Sequence, residues 1–184
     1  MNERSLAGAI PLGLSSEPAA RLAALFDTHH ARLYRLARRL APSADDALDL
    51  VQETFLRAAG LPSSVPSGVR AEEAWLVRVL INIQRDQWRK ASLRKRHDVA
   101  HLHEARGGGD PEDALIARAT VWSSLDLLPP RRRAIVIMHE LEELPVAAVA
   151  SLLGISAITV RWHLSKGRHE LARVLQAGGA HGKS

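Results

Sequence analysis

Arg161, Trp162, Ser165, Lys166 and Arg168, near the C-terminus, fall at helical intervals on one amphipathic stretch. Their chemistry is that of recognition: guanidinium and ammonium groups for phosphates and guanine edges, a hydroxyl for hydrogen bonds and an indole for apolar contact. A second set, Arg78, Asn82, Arg85 and Arg89, recurs at spacings of four, three and four, which lines up three cations and an amide on one side of another helix. No nucleophile or acid–base constellation can be argued, so no catalytic residue is assigned. His97, His101 and His103 include a pair four apart, a spacing at which two histidines on a helix can share a metal. Beside Arg94, Lys95 and Arg96 in a linker they read instead as a solvated, partly cationic segment, and neither a metal nor a cofactor is assigned. His29 falls on an apolar stripe and reads as a packed histidine.

The first set needs a frame that presents it, and residues 146–168 have the pattern of a helix-turn-helix. Pro145 can start a helix because its missing N–H would be unpaired there anyway. Val149, Ala150 and Leu153 make a short apolar stripe, Gly154 permits the turn, and Ser156 can cap a second helix. Val160 and Leu164 face inward on that helix, which leaves the five recognition residues outward and shapes the element for a major groove.

The whole chain has 184 residues, 46% of them hydrophobic, enough for one domain or two small ones. A net charge of +5 suits a polyanionic partner. There is no cysteine, which excludes disulfides and thiolate metal sites and allows a reducing compartment. No apolar run approaches the length of a membrane span, and residues 1–17 are too poor in charge and apolar length for a secretory signal; the expected location is the cytoplasm.

The periodicity predicts an all-α protein of two small helical domains joined by a flexible linker. Leu22, Leu25, Phe26, His29, Leu33, Leu36 and Leu40 mark a first helix from about Pro18, ended by Pro42. Ser43 and Asp46 resemble a capping pair for a second helix carrying Leu48, Val51, Phe55 and Ala58 inward, with Asp49, Gln52 and Glu53 on its other face. Residues 61–68 read as a loop, and a third helix from about Ala71 to Arg96 buries Trp75, Leu76, Val79, Leu80 and Ile83. The expected boundaries are a leader over 1–17, a first domain over 18–96, a Gly-rich linker over 97–111, a second domain over 112–176 and a tail over 177–184. The second domain is predicted to open with a helix from about Glu112 to Leu128, with Leu115, Trp122 and Leu125 inward. Another runs from Arg131 to Leu141.

Three blocks then point to a family. The second helix reads Asp49-Leu50-Val51-Gln52-Glu53-Thr54-Phe55, the third reads Trp75-Leu76-Val77-Arg78 with Asn82 seven residues after the Trp, and the second domain reads Leu128-Pro129 followed by Arg133. In this order, with a helix-turn-helix at the end, the chain resembles the extracytoplasmic-function sigma factors of the sigma-seventy family over about Pro18 to Gln176. The resemblance implies a promoter-specificity subunit of RNA polymerase. Asp49, Gln52 and Glu53 would face a coiled coil of the large polymerase subunit. Arg78, Asn82, Arg85 and Arg89 would meet the minus-ten element, with Asn82 on the edge of a base flipped into a pocket that the 61–68 loop helps to wall. Arg161, Trp162, Ser165, Lys166 and Arg168 would meet the minus-thirty-five element, Arg161 being the foremost base reader; Arg131, Arg132, Arg133 and Arg168 look like phosphate contacts, a solvated charged face being the alternative. Partners implied are core polymerase, double-stranded promoter DNA with its opened strand, and an anti-sigma factor.

Two departures from the family stand out. Ala148-Val149-Ala150 lacks the usual Glu before an Ile-Ala pair, and Trp162 and His163 stand where many members carry a second Arg. A bulky Trp162 can contact a thymine methyl or lie against sugar rings. The stretch Thr159 to Leu164 also resembles the reading helix of LuxR-like regulators, which is the alternative; a sigma-like module that only titrates partners is a third reading.

Overall fold

The computed structural model describes residues 17–97 and 121–180, all of whose regular elements are helical. Helix α1 spans Glu17–Leu40, α2 Ala44–Gly60 and α3 Val69–His97, with a single 3-10 turn at Pro62–Ser64. In the second lobe α4 is described over 121–126, α5 is Pro130–Val136 and runs into a π-helical turn at Ile137–Leu141, α6 is Val146–Leu153 and α7 is Ala157–Ala180. Beyond His97, the expected linker with His101 and His103, and the first part of the helix expected from Glu112, with Leu115, lie outside the described residues.

Local chemistry sets the ends. Ser43 Oγ accepts from the Asp46 amide at 3.0 Å and its hydroxyl donates to the Asp46 carboxylate at 2.6 Å, which secures the start of α2. Glu72 accepts from the Gly68 amide at 3.3 Å at the start of α3, while its other oxygen meets the buried His29 ring at 3.1 Å. Gly154, at φ +64, ends α6 in the left-handed region, and the Ile155 amide reaches back to the Ala150 carbonyl at 3.0 Å. The predicted helix over 131–141 is an α-helix only to Val136; the π turn that follows is closed by the Glu142 amide on the Ile137 carbonyl at 3.1 Å. Gly178 and Gly179 do not stop the last helix, which continues to Ala180.

The two lobes share one core. Leu33, Leu36 and Leu40 of α1, Leu50 of α2, and Leu76 and Leu80 of α3 belong to the same buried cluster as Ile135, Ile137, Met138, Val149, Val160 and Leu164. Polar contacts cross the same seam. Arg133, only 5% exposed, donates to the Leu40 carbonyl at 2.9 Å and to the Asp126 carbonyl at 2.6 Å. Glu142, its carboxylate almost covered, pairs with Arg32 at 2.7 Å and Arg39 at 2.8 Å. The hydrogen bond from Arg32 to Glu142 raises the arginine's already high pKa.

Two positions of the predicted stripes lie outside this core. Phe26 and Leu48 remain exposed, Leu48 because it sits just past the edge of the buried arc of α2; Phe26 stacks on the His30 ring with centroids 4.4 Å apart and lies 4.9 Å from the Phe55 ring.

Candidate polymerase and nucleic-acid interfaces

Asp49 and Gln52 stand exposed on α2, and Glu53, one turn before Arg57, is paired with it at 3.1 Å. Packing of α2 on α3 extends this face: the same residues line a shallow hollow with Asp86, Gln87 and Lys90 of α3. The α3 contribution was invisible in the sequence, because helical spacing orders one helix and says nothing of its neighbour.

On α3 the four expected residues separate. Asn82 and Arg89 are exposed, and Arg85 is half-buried beside Asp86 at 3.7 Å. Arg78 is turned to the second lobe, where its guanidinium lies against the Gly154 turn and 3.5 Å from the Leu152 carbonyl. Arg78, Asn82 and Arg85 therefore line one hollow together with Arg131 and Leu153. The 61–68 loop is elsewhere: Arg21 of α1 holds it through the carbonyls of Val65 at 2.7 Å and Pro66 at 3.3 Å. Asn82 lies thirteen residues beyond Val69, ~20 Å along the axis of α3 at 1.5 Å per residue. Asn82 and the loop thus line different hollows, and the tethering Arg21 carries no local sequence signal of its long-range role.

The reading helix α7 is fixed from behind. A Cβ on Gly167 would stand 2.7 Å from Val136 Cγ2, so only glycine lets α7 lie this close to α5. Arg161, Trp162, Ser165, Lys166 and Arg168 are all exposed. Arg168 is held by Glu140 of the π turn at 2.7 Å, and Arg161, Ser165 and Arg168 border a hollow with His139. The Trp162 ring lies 5.5 Å from the Arg132 guanidinium, and Arg132 is itself clamped by both Glu170 oxygens at 2.6 Å. His163, half-buried, has a pKa below its ordinary value near 6.5, first through burial and then through Arg132 and Arg131. The phosphate role expected of Arg133 is overturned: its guanidinium is buried and already engaged by Leu40 and Asp126.

The geometry is that of a helix-turn-helix with a cationic outer helix, joined to a three-helix lobe bearing an amide and arginines, and known proteins share it. Residues 25–94 match the family model of Sigma-70 region 2, and residues 118–171 match that of Sigma-70, region 4. The ECF RNA polymerase sigma factor SigL of Mycobacterium tuberculosis is 33% identical over 171 residues, which cover 89% of this chain and 94% of SigL. SigM of the same species is 31% identical over 151 residues, covering 82% of this chain and 75% of SigM. The ECF sigma factor SigE of Mycolicibacterium smegmatis is 32% identical over 148 residues, but the match spans only 57% of its length. In fold, the chain is similar to RpoE of Bartonella quintana, solved with the anti-sigma factor NepR, at TM-score 0.56 and 23% identity over 85% of this chain and 97% of that one. It is also similar to CnrH, solved with the cytosolic domain of CnrY, at TM-score 0.54 and 23% identity over 86% and 89% of the two chains. The LuxR-like alternative is not favoured, because the first lobe matches region 2 of sigma-70. With a region 2 lobe, a region 4 lobe and relatives of this identity and coverage, the chain belongs to the ECF RNA polymerase sigma factors of the sigma-70 family.

Proposed function

We propose that this protein binds core RNA polymerase in the cytoplasm through Asp49, Gln52 and Glu53 of α2, and directs transcription from its own set of promoters. Arg78, Asn82, Arg85 and Arg89 act at the minus-ten element, where Asn82 takes a base edge and nucleates strand opening. Arg161, Trp162, Ser165, Lys166 and Arg168 take the minus-thirty-five element. The polymerase performs the chemistry and this chain none. An anti-sigma factor, of the kind found with RpoE and CnrH-like neighbours, is the expected inhibitory partner. The observation that carries the reading is the pairing, in one member of this family, of an exposed cationic reading helix with a separate lobe whose exposed Asn82 is flanked by arginines.

The two elements are named for positions roughly 25 base pairs apart, on the order of 80 Å at 3.4 Å per pair. Here Asn82 and Leu153 border one hollow, so the lobes part when both elements are held. Run-off transcription with purified bacterial core polymerase and a promoter library tests the function. A folded protein that neither binds core nor yields any promoter-dependent transcript would sink it.

A further inference from the structure

At about 100° per residue, the buried Val160, Leu164 and Gly167 define the inner line of α7. The opposite line runs through Ile158, Trp162, Ser165 and His169, while Arg161 and Arg168 lie to one flank and Lys166 to the other. The ridge of the reading helix is thus led by two large apolar side chains one turn apart. Ile158 is 76% exposed, more than any other large apolar side chain among the described residues, and Trp162 is 51% exposed. Neither belongs to the core, and a helix face that only meets water has no use for them.

Trp162 is also held in place. Arg132 lies over its ring, the Glu170 carboxylate fixes Arg132, and the His163 ring meets the indole edge-on at 4.8 Å between centroids. A side chain ordered before binding loses less freedom on binding. The charge around the ridge selects the partner: from Ala157 to His169 there is no acidic residue, and Arg161 and Lys166 add positive charge on its two flanks, while Arg168 beside Arg161 is paired with Glu140. A surface that is apolar on its ridge and cationic on both flanks fits a polyanion that carries apolar groups in its groove. In the major groove that group is the C5-methyl of thymine.

We propose that Ile158 and Trp162 read the upstream promoter element by packing on thymine C5-methyl groups, with the flanking cations set on phosphates and on any neighbouring guanine. This rests on the sigma-factor reading above and assigns the specificity to apolar contact in place of an arginine acting alone. Ile158 becomes a specificity-determining residue that neither helical spacing nor the family resemblance singled out.

Replacing thymine by deoxyuridine deletes that methyl group and nothing else. The holoenzyme, assembled from the full chain and purified bacterial core polymerase, is first used to select an upstream element from a randomised library. Each thymine of the selected element is then replaced singly by deoxyuridine. One or two replacements are expected to weaken binding about fourfold, the equivalent of ~0.8 kcal/mol for a buried methyl-sized group at 1.4 kcal/mol per factor of ten. Ile158→Ala should abolish the penalty at one of these positions, and Trp162→Leu should change it at the next. Ile158 is so exposed that its replacement leaves the fold intact, which a thermal melt verifies. A holoenzyme that selects promoters and transcribes from them, yet is indifferent to deoxyuridine throughout, overturns the inference while leaving the function standing. Variants that keep the deoxyuridine penalty but lose core polymerase overturn it too, and make the ridge a protein-binding face. Failure to form holoenzyme or to select any promoter removes the function, and the inference with it.

Discussion

His163 shows how one buried nitrogen ties stability to pH. Burial and the charges of Arg132 and Arg131 favour its neutral form, and its Nδ1 has no hydrogen-bond partner among the described residues. In the unfolded chain the ring takes up a proton near its ordinary value of 6.5, and in the folded protein only at lower pH. The unfolded state therefore binds more protons in that window, so the stabilising contribution is complete above about pH 6.5 and is lost as pH falls through the lowered folded value. Urea midpoints between pH 8 and pH 5 should fall more for the wild type than for His163→Leu; parallel curves would refute the assignment. Asn82→Ala should slow promoter opening, followed by permanganate footprinting, more than it weakens the closed complex, and equal losses in both would remove its flipped-base role. The exposed recognition residues were legible in the sequence, since each follows from its own spacing on one helix. Arg133 was not, because a guanidinium that caps Leu40 from another lobe has the same local sequence as one awaiting a phosphate.

Among the elements, α5 and α7 depend on a missing side chain. A methyl group on Gly167 would press into Val136 at 2.7 Å, and both helices are core elements with little room to yield. Gly167→Ala should cost about 1–3 kcal/mol, the range for overpacking, seen as a lowered denaturation midpoint. An unchanged or raised midpoint would mean that α7 shifts without penalty. The α6 turn makes a separate demand: Gly154→Ala places a Cβ at φ +64 and 3.4 Å from the Arg78 guanidinium, and should cost on the order of 1 kcal/mol by the same measurement. Gly154 was legible from its place after an apolar stripe. Gly167 lay unnoticed inside a helix, where glycine carries no turn and its reason is a neighbour 31 residues upstream, Val136.

The whole molecule is closed by a small set of charges set over a shared core. The π turn after Val136 closes its hydrogen bond over one more residue than an α turn, and Glu142 follows it directly to meet Arg32 and Arg39 of α1. Glu142→Ala leaves two arginines without their common carboxylate and should weaken closure by about 1–3 kcal/mol. Spin labels at the exposed Asp49 and His169 should then show a longer and broader distance distribution than in the wild type. An unchanged distribution would mean that the shared core alone keeps the lobes together. Opening leaves the ridge of α7 as it is, since that ridge is already exposed, but frees the Asn82 hollow, which Leu153 and Arg131 border. From the sequence alone came the all-α class, the order of the helices, the helix-turn-helix and the family, because periodicity, capping and turn chemistry act over neighbours a few residues apart. Only the tertiary structure decided that the lobes close on one core, that Arg78 faces the second lobe, that Asn82 and the 61–68 loop stand apart, and that Ile158 leads the reading ridge. Those outcomes depend on which helix faces pack together, and that is settled by complementarity among residues far apart in the chain.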